Sequence, residues 1–414
     1  MASKSKRRAQ QQARKKDSAT PAVLLAMLFA TFAILQNRYG QFSDIRGFYG
    51  MHFADGLHHW PFSTHTLTGA TDPIHPVEYP ALTGLVMWLI SFFIAPSQLA
   101  WVSYFQLTAT IHVFLFGGAA YAIKKLSSSK YAMVFAVTPA VLYSLNRNWD
   151  IWAVLPMLIA IIYYEKGKHR TSAIYLAISI ATKFFPLVLF FPLAIAAVRN
   201  KEFGKFLKYL GTTLAAWVAI NLPFALINFE GWWYFYKFNF ERGLGSASVW
   251  DITGTLHIPF PNNNIAYYIL NIGTFVLLGA YLYRSKKVVP LTESAYFATF
   301  AFILFNKQYS MQYIIWLAAL AVIAISKLDI KRQMTALYFY IAWQVTDLAF
   351  QYTFFQQILT NATANTATPS SPVVTTHTYA VVGLIRYIVA IAFTVFLAWQ
   401  LANAKKDESE VKKS

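Results

Sequence analysis

A carboxylate just beyond the first hydrophobic segment is the first candidate for chemistry in this chain. Asp44 follows the apolar run Ala22 to Leu35 after a short polar stretch. An ionisable group at a membrane–water boundary is a functional candidate by default. A carboxylate there can take the proton from an acceptor hydroxyl, or can stabilise positive charge that develops on a sugar ring. The alternative is a solvated loop aspartate or an ion pair with Arg46.

The second candidate is a lysine at the end of a short apolar segment. As a helix, residues 171–183 would rise only about 20 Å at ~1.5 Å per residue, which is short of the ~30 Å hydrocarbon core. We therefore expect the Lys183 ammonium below the outer surface, where it needs an anionic partner or a water-filled cavity. A phosphate would satisfy it. An ion pair with Asp44 or Asp150, or snorkelling to the surface, is the alternative.

Two polar turns and the end of the Asp44 loop supply further candidates. These are Arg147, Asn148 and Asp150 of one turn, Lys307 and Gln308 of the other, and Glu78 and Tyr79 of the loop. Carboxylates bind hard divalent cations together with water, so Glu78 and Asp150 are also possible metal ligands. Five histidines in the same loop have no helical spacing of metal ligands, which favours ordinary polar loop residues over a zinc site.

Composition indicates what kind of protein must position these residues. Of the 414 residues, 57% are hydrophobic and 13% are charged, and the apolar runs recur at bilayer-spanning length. The sequence therefore predicts an all-α, polytopic membrane protein. It contains no cysteine, which excludes disulfides, thiolate catalysis and Cys-ligated metals.

The net charge of +18 does not indicate nucleic-acid binding, because most of the 35 lysines and arginines lie in short loops between apolar runs. The positive-inside rule places those loops, and both termini, in the cytoplasm. Contacts with anionic lipid headgroups explain the remaining charge.

The positive-inside rule, applied together with the apolar runs, predicts about twelve transmembrane helices. They lie near residues 21–37, 99–123, 131–145, 150–164, 171–183, 185–198, 208–227, 263–283, 292–305, 310–326, 333–355 and 378–402. The run Ala81 to Ala95 does not fit as a crossing, because it would invert every later loop. We expect it to be a juxtamembrane or re-entrant helix in the outer loop 38–98. The remaining parts are a basic tail (1–20), one transmembrane domain (21–402) and a charged tail (403–414).

The order of the motifs resembles the GT-C superfamily of integral-membrane glycosyltransferases. It is most similar to bacterial polyprenyl-phosphate-mannose-dependent mannosyltransferases of the phosphatidylinositol-mannoside type. The resemblance rests on the segments Ser43-Asp-Ile-Arg-Gly-Phe-Tyr49, Glu78-Tyr-Pro-Ala-Leu82, Asn148-Trp-Asp150 and Lys183-Phe-Phe-Pro186. The family often has Tyr-Pro-Pro at the second segment and Asn-Gly-Gln at the third, so the match does not fix the sugar.

The resemblance implies a GT-C-like fold and an inverting sugar transfer at the outer face of the plasma membrane. Its implied partners are a polyprenyl-phosphate sugar donor, a glycolipid or glycan acceptor and the lipid bilayer, with no nucleic acid. It implies Asp44 as the base, and Lys183, Arg147 and Lys307 as contacts of the donor phosphate. Supporting or acceptor-binding roles fall to Arg46, Glu78, Tyr79, Asn148, Asp150 and Gln308. No cofactor is required, and a divalent cation, Mg or Mn, is left open.

Two other classes of function compete with this interpretation. A transporter or flippase of a lipid-linked or small polar substrate also uses intramembrane charges and broken helices. The lack of an inverted repeat counts against it, and a carboxylate-rich outer loop favours an enzyme. A non-catalytic assembly partner would need neither Asp44 nor Lys183.

Overall fold

The computed structural model describes residues 18–260, 264–363 and 374–403. Within these ranges the secondary structure consists of 17 α-helices and one 3-10 helix, besides an isolated bridge between His65 and Ile74. The predicted all-α class is confirmed. The basic N-terminal tail up to residue 17 and the charged C-terminal tail from residue 404 lie outside the described residues.

The helices up to Lys183 carry most of the predicted site. They are α1 (Thr20–Gln36), α2 (Asp44–His52), α3 (Ala81–Ser91), α4 (Ala100–Leu126), α5 (Ser129–Ala136), α6 (Pro139–Ser144), α7 (Ile151–Glu165) and α8 (His169–Thr182).

The remaining helices follow a 3-10 turn at Phe185–Leu189. They are α9 (Phe190–Asn200), α10 (Phe203–Ile227), α11 (Phe229–Glu241), α12 (Val249–Thr255), α13 (Asn264–Arg284), α14 (Leu291–Leu304), α15 (Tyr313–Ile325), α16 (Ile330–Thr363) and α17 (Thr376–Ala402).

Four of these helices, α4, α10, α13 and α17, are long and apolar enough to cross a membrane by length and composition. Shorter apolar helices coincide with most of the other predicted crossings, and the chain is a polytopic membrane protein. Helix α3 has 11 residues, so it extends only about 16 Å. This length fits a juxtamembrane or re-entrant helix better than a crossing.

A proline divides one of the predicted crossings, and another lies at the turn between two of them. The segment 131–145 is split into α5 and α6 at Thr138, directly before Pro139, because the residue before a proline is pushed out of the helical region. The segment after α8 breaks at Lys183, which is extended (φ −150°, ψ 137°), before the 3-10 turn that contains Pro186. Lys183 therefore lies just after α8, outside its helical backbone.

Helix α15 is the centre of the core. Every residue from Ile314 to Ile325 is buried, which agrees with its apolar sequence on all sides. Its first residue, Tyr313, lies at the cavity described next. The core therefore anchors one wall of the candidate site.

Candidate functional site

A cavity of about 820 Å³ collects several segments that are far apart in the chain. Its walls are the start of α2, the stretch 74–79, the turn 147–149, Lys183, one face of α11, residues 310–313 and the end of α16. We call it the Asp44 cavity. Of the predicted site residues, it brings together Asp44, Glu78, Tyr79, Arg147, Asn148 and Lys183.

Asp44 is the first residue of α2, and its position is fixed by the neighbouring turn. The Ser43 hydroxyl caps the helix by accepting a hydrogen bond from the Ile45 N–H at 3.3 Å, and donates to the Asn146 carbonyl at 2.6 Å. The backbone N–H of Asp44 donates to the Arg147 carbonyl at 2.8 Å. Ser and Asp are typical helix-start residues. The cap thus joins α2 to the polar turn and leaves the Asp44 carboxylate in the cavity.

The Asp44 carboxylate has the properties of a base near neutral pH. The residue is exposed, and its surface contributes to the cavity wall. The protein around the cavity shields the carboxylate from bulk solvent and raises the pKa of Asp44 to about 6. The charge of Lys183 opposes this rise, and that of Asp150 adds to it. The group is therefore mainly ionised at pH 7 but remains basic enough to accept a proton.

Lys183 lies in the cavity wall and forms an ion pair behind it. Its Nζ is 2.7 Å from Asp150 Oδ1, and it lies 4.8 Å from the centre of the Tyr79 ring. Asp150 is fully buried, and its Oδ2 accepts a hydrogen bond from Trp316 Nε1 at 2.9 Å. The ion pair that the sequence left as an alternative is present. Because the lysine also lines the cavity, a ligand contact remains compatible with it.

Asn148 brings an unused donor to the cavity. It is 1% exposed, and its Oδ1 accepts a hydrogen bond from the Asp150 N–H at 3.1 Å. Its Nδ2 has no hydrogen-bond partner among the described residues. Buried donors are rarely left unpaired in a folded protein, so this atom is a candidate ligand contact.

Arg147 lines the cavity but is largely committed to the backbone. Its Nη1 donates to the carbonyls of Gln41 at 2.9 Å and Phe42 at 3.1 Å. The guanidinium lies against the rings of Tyr143 and Phe355, 4.6 and 4.1 Å from their centres. Its clearest observed role is to hold the segment that precedes Asp44.

Lys307 and Gln308 do not line the Asp44 cavity. The Lys307 ammonium donates to the carbonyls of Phe240 at 3.1 Å and Arg242 at 2.8 Å. The Gln308 side chain packs so closely on Gly245 that a Cβ there would collide with it. Both residues therefore hold the segment 240–245, and a direct phosphate contact by Lys307 stays a prediction.

Arg46 lies on the other side of α2. Its guanidinium carbon is 3.7 Å from the centre of the Trp101 ring, and the residue lines a different cavity. Residues two apart on a helix do not face each other, which explains why no ion pair joins Arg46 to Asp44 in the described structure.

One face of α11 was missed as part of the site. Tyr234, Phe235, Phe238, Asn239 and Arg242 line the cavity, and their spacing of four places them along one side of a helix. The aromatic residues around them are equally typical of an interfacial belt. Arg242 could have been singled out from the sequence, because it is one of the few basic residues outside the loops assigned to the cytoplasm.

Arg242 is an exposed cation in the cavity wall. Across the described residues, no carboxylate lies within ion-pair distance of its guanidinium, which is 5.4 Å from the Phe238 ring. Burial raises the pKa of the Glu78 carboxyl, and the positive charge of Arg242 acts in the opposite direction. The two groups thus influence each other across the cavity without forming a close pair.

A buried ion pair behind the cavity was also missed. Asp347 of α16 accepts from Arg386 Nε of α17 at 2.8 Å, and both residues are 0% exposed. Arg386 Nη1 donates to the Tyr309 carbonyl at 3.3 Å, and Gln351 donates to Asp347 Oδ1 at 2.9 Å. The sequence did contain a signal for this pair, because each of the two predicted apolar crossings has one charged residue inside it. The pair supports the segment that leads into residues 310–313 of the cavity.

Metal binding has no obvious place in the described ranges. There, no three His, Asp or Glu side chains are grouped so that they could hold an ion. His59 Nε2 lies 2.8 Å from Asp55 Oδ2, as an ordinary polar contact. Participation of Mg or Mn stays a prediction.

Comparison with known proteins gives a distant structural similarity. No family model matches the chain, and no curated protein matches it at a significant level. One similar structure is the crystal structure of ArnT from Cupriavidus metallidurans bound to undecaprenyl phosphate. The alignment covers 91% of this chain and 77% of ArnT, with a TM-score of 0.45 and 14% identity. The apo structure of ArnT aligns with 94% of this chain over 78% of its own length, with a TM-score of 0.46 and 14% identity. At this level the comparison assigns no residue role and no activity to the chain.

Proposed function

We propose that this chain is an inverting glycosyltransferase of the plasma membrane. It moves a sugar, with mannose as the first candidate, from a polyprenyl-phosphate donor to a hydroxyl of a glycolipid or cell-envelope glycan at the outer face. The observation that supports this most is the Asp44 cavity itself, in which the Asp44 carboxylate lines the same space as several cations, among them Lys183 and Arg242. The order of the sequence motifs supports the same class.

The transfer is a single displacement at the anomeric carbon. The acceptor oxygen attacks from the face opposite the phosphate, so that the new C–O bond forms as the bond to the phosphate oxygen breaks. The electron pair of the broken bond leaves with the polyprenyl phosphate, and the acceptor proton passes to Asp44. One displacement inverts the configuration of the anomeric carbon.

The departing phosphate needs positive charge nearby, and the cavity offers it in two forms. Lys183 is partly neutralised by Asp150 at 2.7 Å, whereas Arg242 has no such close partner in the described structure. A guanidinium can donate two parallel hydrogen bonds to a phosphate. We therefore give Arg242 the main contact and Lys183 the second one, with Arg147 and Lys307 holding the backbone around them.

The remaining walls suit the apolar and sugar parts of the substrates. Phe354, Phe355 and Ile358 at the end of α16 line the cavity, and an apolar wall of this kind accommodates a prenyl chain. Tyr234 and Phe238 on α11 offer ring faces of the kind that pack against the C–H face of a sugar. Asn148 Nδ2 is available for a hydroxyl or phosphate oxygen.

The test is a transfer assay with purified protein in lipid. Labelled polyprenyl-phosphate-mannose and a membrane glycolipid are supplied, and the products are identified by mass spectrometry and by NMR of the new linkage. The proposal expects a longer glycolipid with inverted anomeric configuration and free polyprenyl phosphate. A wild-type protein that transfers no sugar from any lipid-phosphate donor, but moves the labelled lipid between vesicle leaflets, would be a flippase.

A further inference from the structure

Three cavities meet at one residue, Phe42. It lines the Asp44 cavity, a cavity of about 600 Å³ on the Arg46 side of α2, and a third, also of about 600 Å³, between α1, α6 and α16. No other residue of the described ranges lines all three of them. Phe42 comes two residues before the proposed base in the chain. It therefore lies at the partition between the space around Asp44 and two neighbouring spaces.

The backbone of Phe42 is in a conformation that suits glycine better. Its φ is 57°, in the left-handed region, where a bulky L residue is an outlier. Gly40 in the same loop has a φ of 60°, and a Cβ there would collide with the Phe105 ring. A glycine at position 42 would adopt the left-handed conformation without steric strain. Strain of this kind clusters at functional sites, where surrounding contacts hold it in place.

Contacts from two other segments hold this strained residue. Arg147 Nη1 donates to the Phe42 carbonyl at 3.1 Å and to that of Gln41 at 2.9 Å. The centre of the Phe42 ring is 4.9 Å from that of Phe355, a buried residue near the end of α16, which is a favourable distance for ring packing. The loop that leads into Asp44 is thus tied, through Phe42, to a turn and to a helix that are both distant in sequence.

We propose that Phe42 is a positioning residue for Asp44, and that its ring keeps the Asp44 cavity separate from the two adjoining cavities. This inference rests on the proposed function and adds to its site a residue that the reaction steps above do not use. The effect of Phe42 on transfer passes through Asp44, which the ring keeps shielded and fixed in place, and not through a contact with the reacting atoms.

The separation of the cavities matters for the strength of the base. The protein around the cavity raises the pKa of Asp44 from its ordinary 3.8 to about 6, because a shielded carboxylate holds its proton more tightly. Without the Phe42 ring, the three spaces would join and more water would reach the carboxylate. The pKa of Asp44 should then fall, and a weaker base takes up the acceptor proton less readily.

The first test replaces the ring by glycine, which keeps the left-handed backbone. At neutral pH, kcat of Phe42→Gly should fall about 10-fold with little change in the donor KM, because the base is weaker and less well placed. The midpoint of its pH–rate profile should move about one unit toward acid, so the difference from wild type becomes smaller at low pH. A reduced rate with an unmoved midpoint would overturn the inference.

The matched control is Tyr39→Gly, because Tyr39 is an exposed aromatic residue of the same loop that lines none of the three cavities. It should keep the wild-type rate and midpoint, and equal effects of the two glycine variants would contradict a specific role of the Phe42 ring. Phe42→Ala also removes the ring but leaves the loop less flexible than glycine does, so it should give a similar shift. An unmoved midpoint in Phe42→Ala would count against the inference even if Phe42→Gly failed to fold.

A chemical measurement separates this inference from the proposed function. A water-soluble carbodiimide with an amine modifies carboxyl groups in their protonated form. The initial rate of Asp44 labelling at each pH, followed by mass spectrometry of its peptide, therefore gives the pKa of Asp44 without any turnover. The labelling midpoint should move to lower pH in Phe42→Gly and stay at the wild-type pH in Tyr39→Gly.

The labelling result has two informative combinations with the transfer assay. A shifted midpoint in Phe42→Gly, in a protein that transfers no sugar, would support the role of Phe42 and refute the proposed reaction. Transfer by wild type, with the same labelling midpoint in both glycine variants, would support the reaction and refute the role of Phe42.

Discussion

Two aspartates near Lys183 lie in different environments, and the difference separates their roles. Asp150 is fully buried and is held by Lys183 at 2.7 Å and by Trp316 at 2.9 Å. Asp44 is exposed to the cavity. Both residues are aspartates, and both were candidates in the sequence. Only the packing around them distinguishes a paired carboxylate from one that can take up a proton.

The first prediction concerns pH. Protein around Asp44 raises its pKa to about 6, and a general base works only in its ionised form. The value of kcat/KM for transfer should therefore be constant above about pH 7 and fall tenfold per pH unit well below 6. The measurement is a pH–rate profile between pH 5 and 8 with enzyme stability checked at each pH. A flat profile would argue against a base with this pKa.

The second prediction concerns the cation for the leaving phosphate. Arg242→Gln should lower transfer by about 10²-fold, which is the usual effect of removing one donor from a developing oxyanion, and Arg242→Lys should recover part of the rate. The matched control is Lys237→Gln, because Lys237 is an exposed cation of α11, the helix that Arg242 directly follows, and does not line the cavity. Equal effects of the two Gln variants would exclude a specific role for Arg242.

Lys183 illustrates what the structure changes at this scale. From the sequence alone, Lys183→Met is expected to impair transfer with little loss of stability. Its pairing with the buried Asp150 changes this expectation. Removing one partner of a buried pair leaves an uncompensated charge, which lowers the stability of the fold by about 3–5 kcal/mol. The activity of Lys183→Met should therefore be compared with that of the double variant Lys183→Met with Asp150→Asn, because the second substitution removes the uncompensated charge.

At the scale of helices, the ion pair between α16 and α17 is the clearest case for a test. Arg386→Met leaves Asp347 buried without its partner, so thermal unfolding in detergent should show a loss of about 3–5 kcal/mol. The control is Arg332→Met, because Arg332 pairs with the more exposed Asp329 at 2.9 Å and such pairs contribute about 1 kcal/mol or less.

Replacing both members of the Asp347–Arg386 pair by apolar residues should recover much of the lost stability. The segment 309–313, which Arg386 supports through the Tyr309 carbonyl, would still be released, so transfer should stay reduced in that double variant. Similar unfolding curves for Arg386→Met and Arg332→Met would contradict this account of the pair.

The helices themselves could largely be predicted from the sequence. Apolar runs and prolines determine their bounds, as at Pro139 and Pro186, because both effects act locally. The cavity face of α11 could not be predicted, because Tyr234 and Phe238 suit a membrane interface as well as a ligand cavity. Arg242 and Arg46 could be identified as cations outside the cytoplasmic loops, but which cavity each lines depends on how distant segments pack.

For the whole molecule, the arrangement across the membrane remains a prediction from charge. A reporter fused after Lys125 should read cytoplasmic, and one fused after Pro96 should not, because the short α3 is expected not to cross. A cytoplasmic signal at Pro96 together with an outer signal at Lys125 would invert the arrangement and move the Asp44 cavity to the other face.

The cavity also shows why motif order was informative although no single motif was specific. Asp44, Glu78, Asn148 and Lys183 are separated by whole helices in the chain, yet all four line one cavity. Residues that line one cavity are expected to share one side of the membrane, and the charge rule predicts sides. Distances within the cavity depend on tertiary packing and could not be predicted in this way.

The most direct test of the whole account is the transfer rate of Asp44→Asn. Asparagine keeps the size of the side chain but cannot accept the acceptor proton, so transfer from labelled polyprenyl-phosphate-mannose should fall about 10²-fold or more. Donor binding and the unfolding temperature should stay near wild type, because Asp44 is exposed to the cavity. A wild-type rate for this variant would contradict the assignment of Asp44 as the base and, with it, the proposed mechanism.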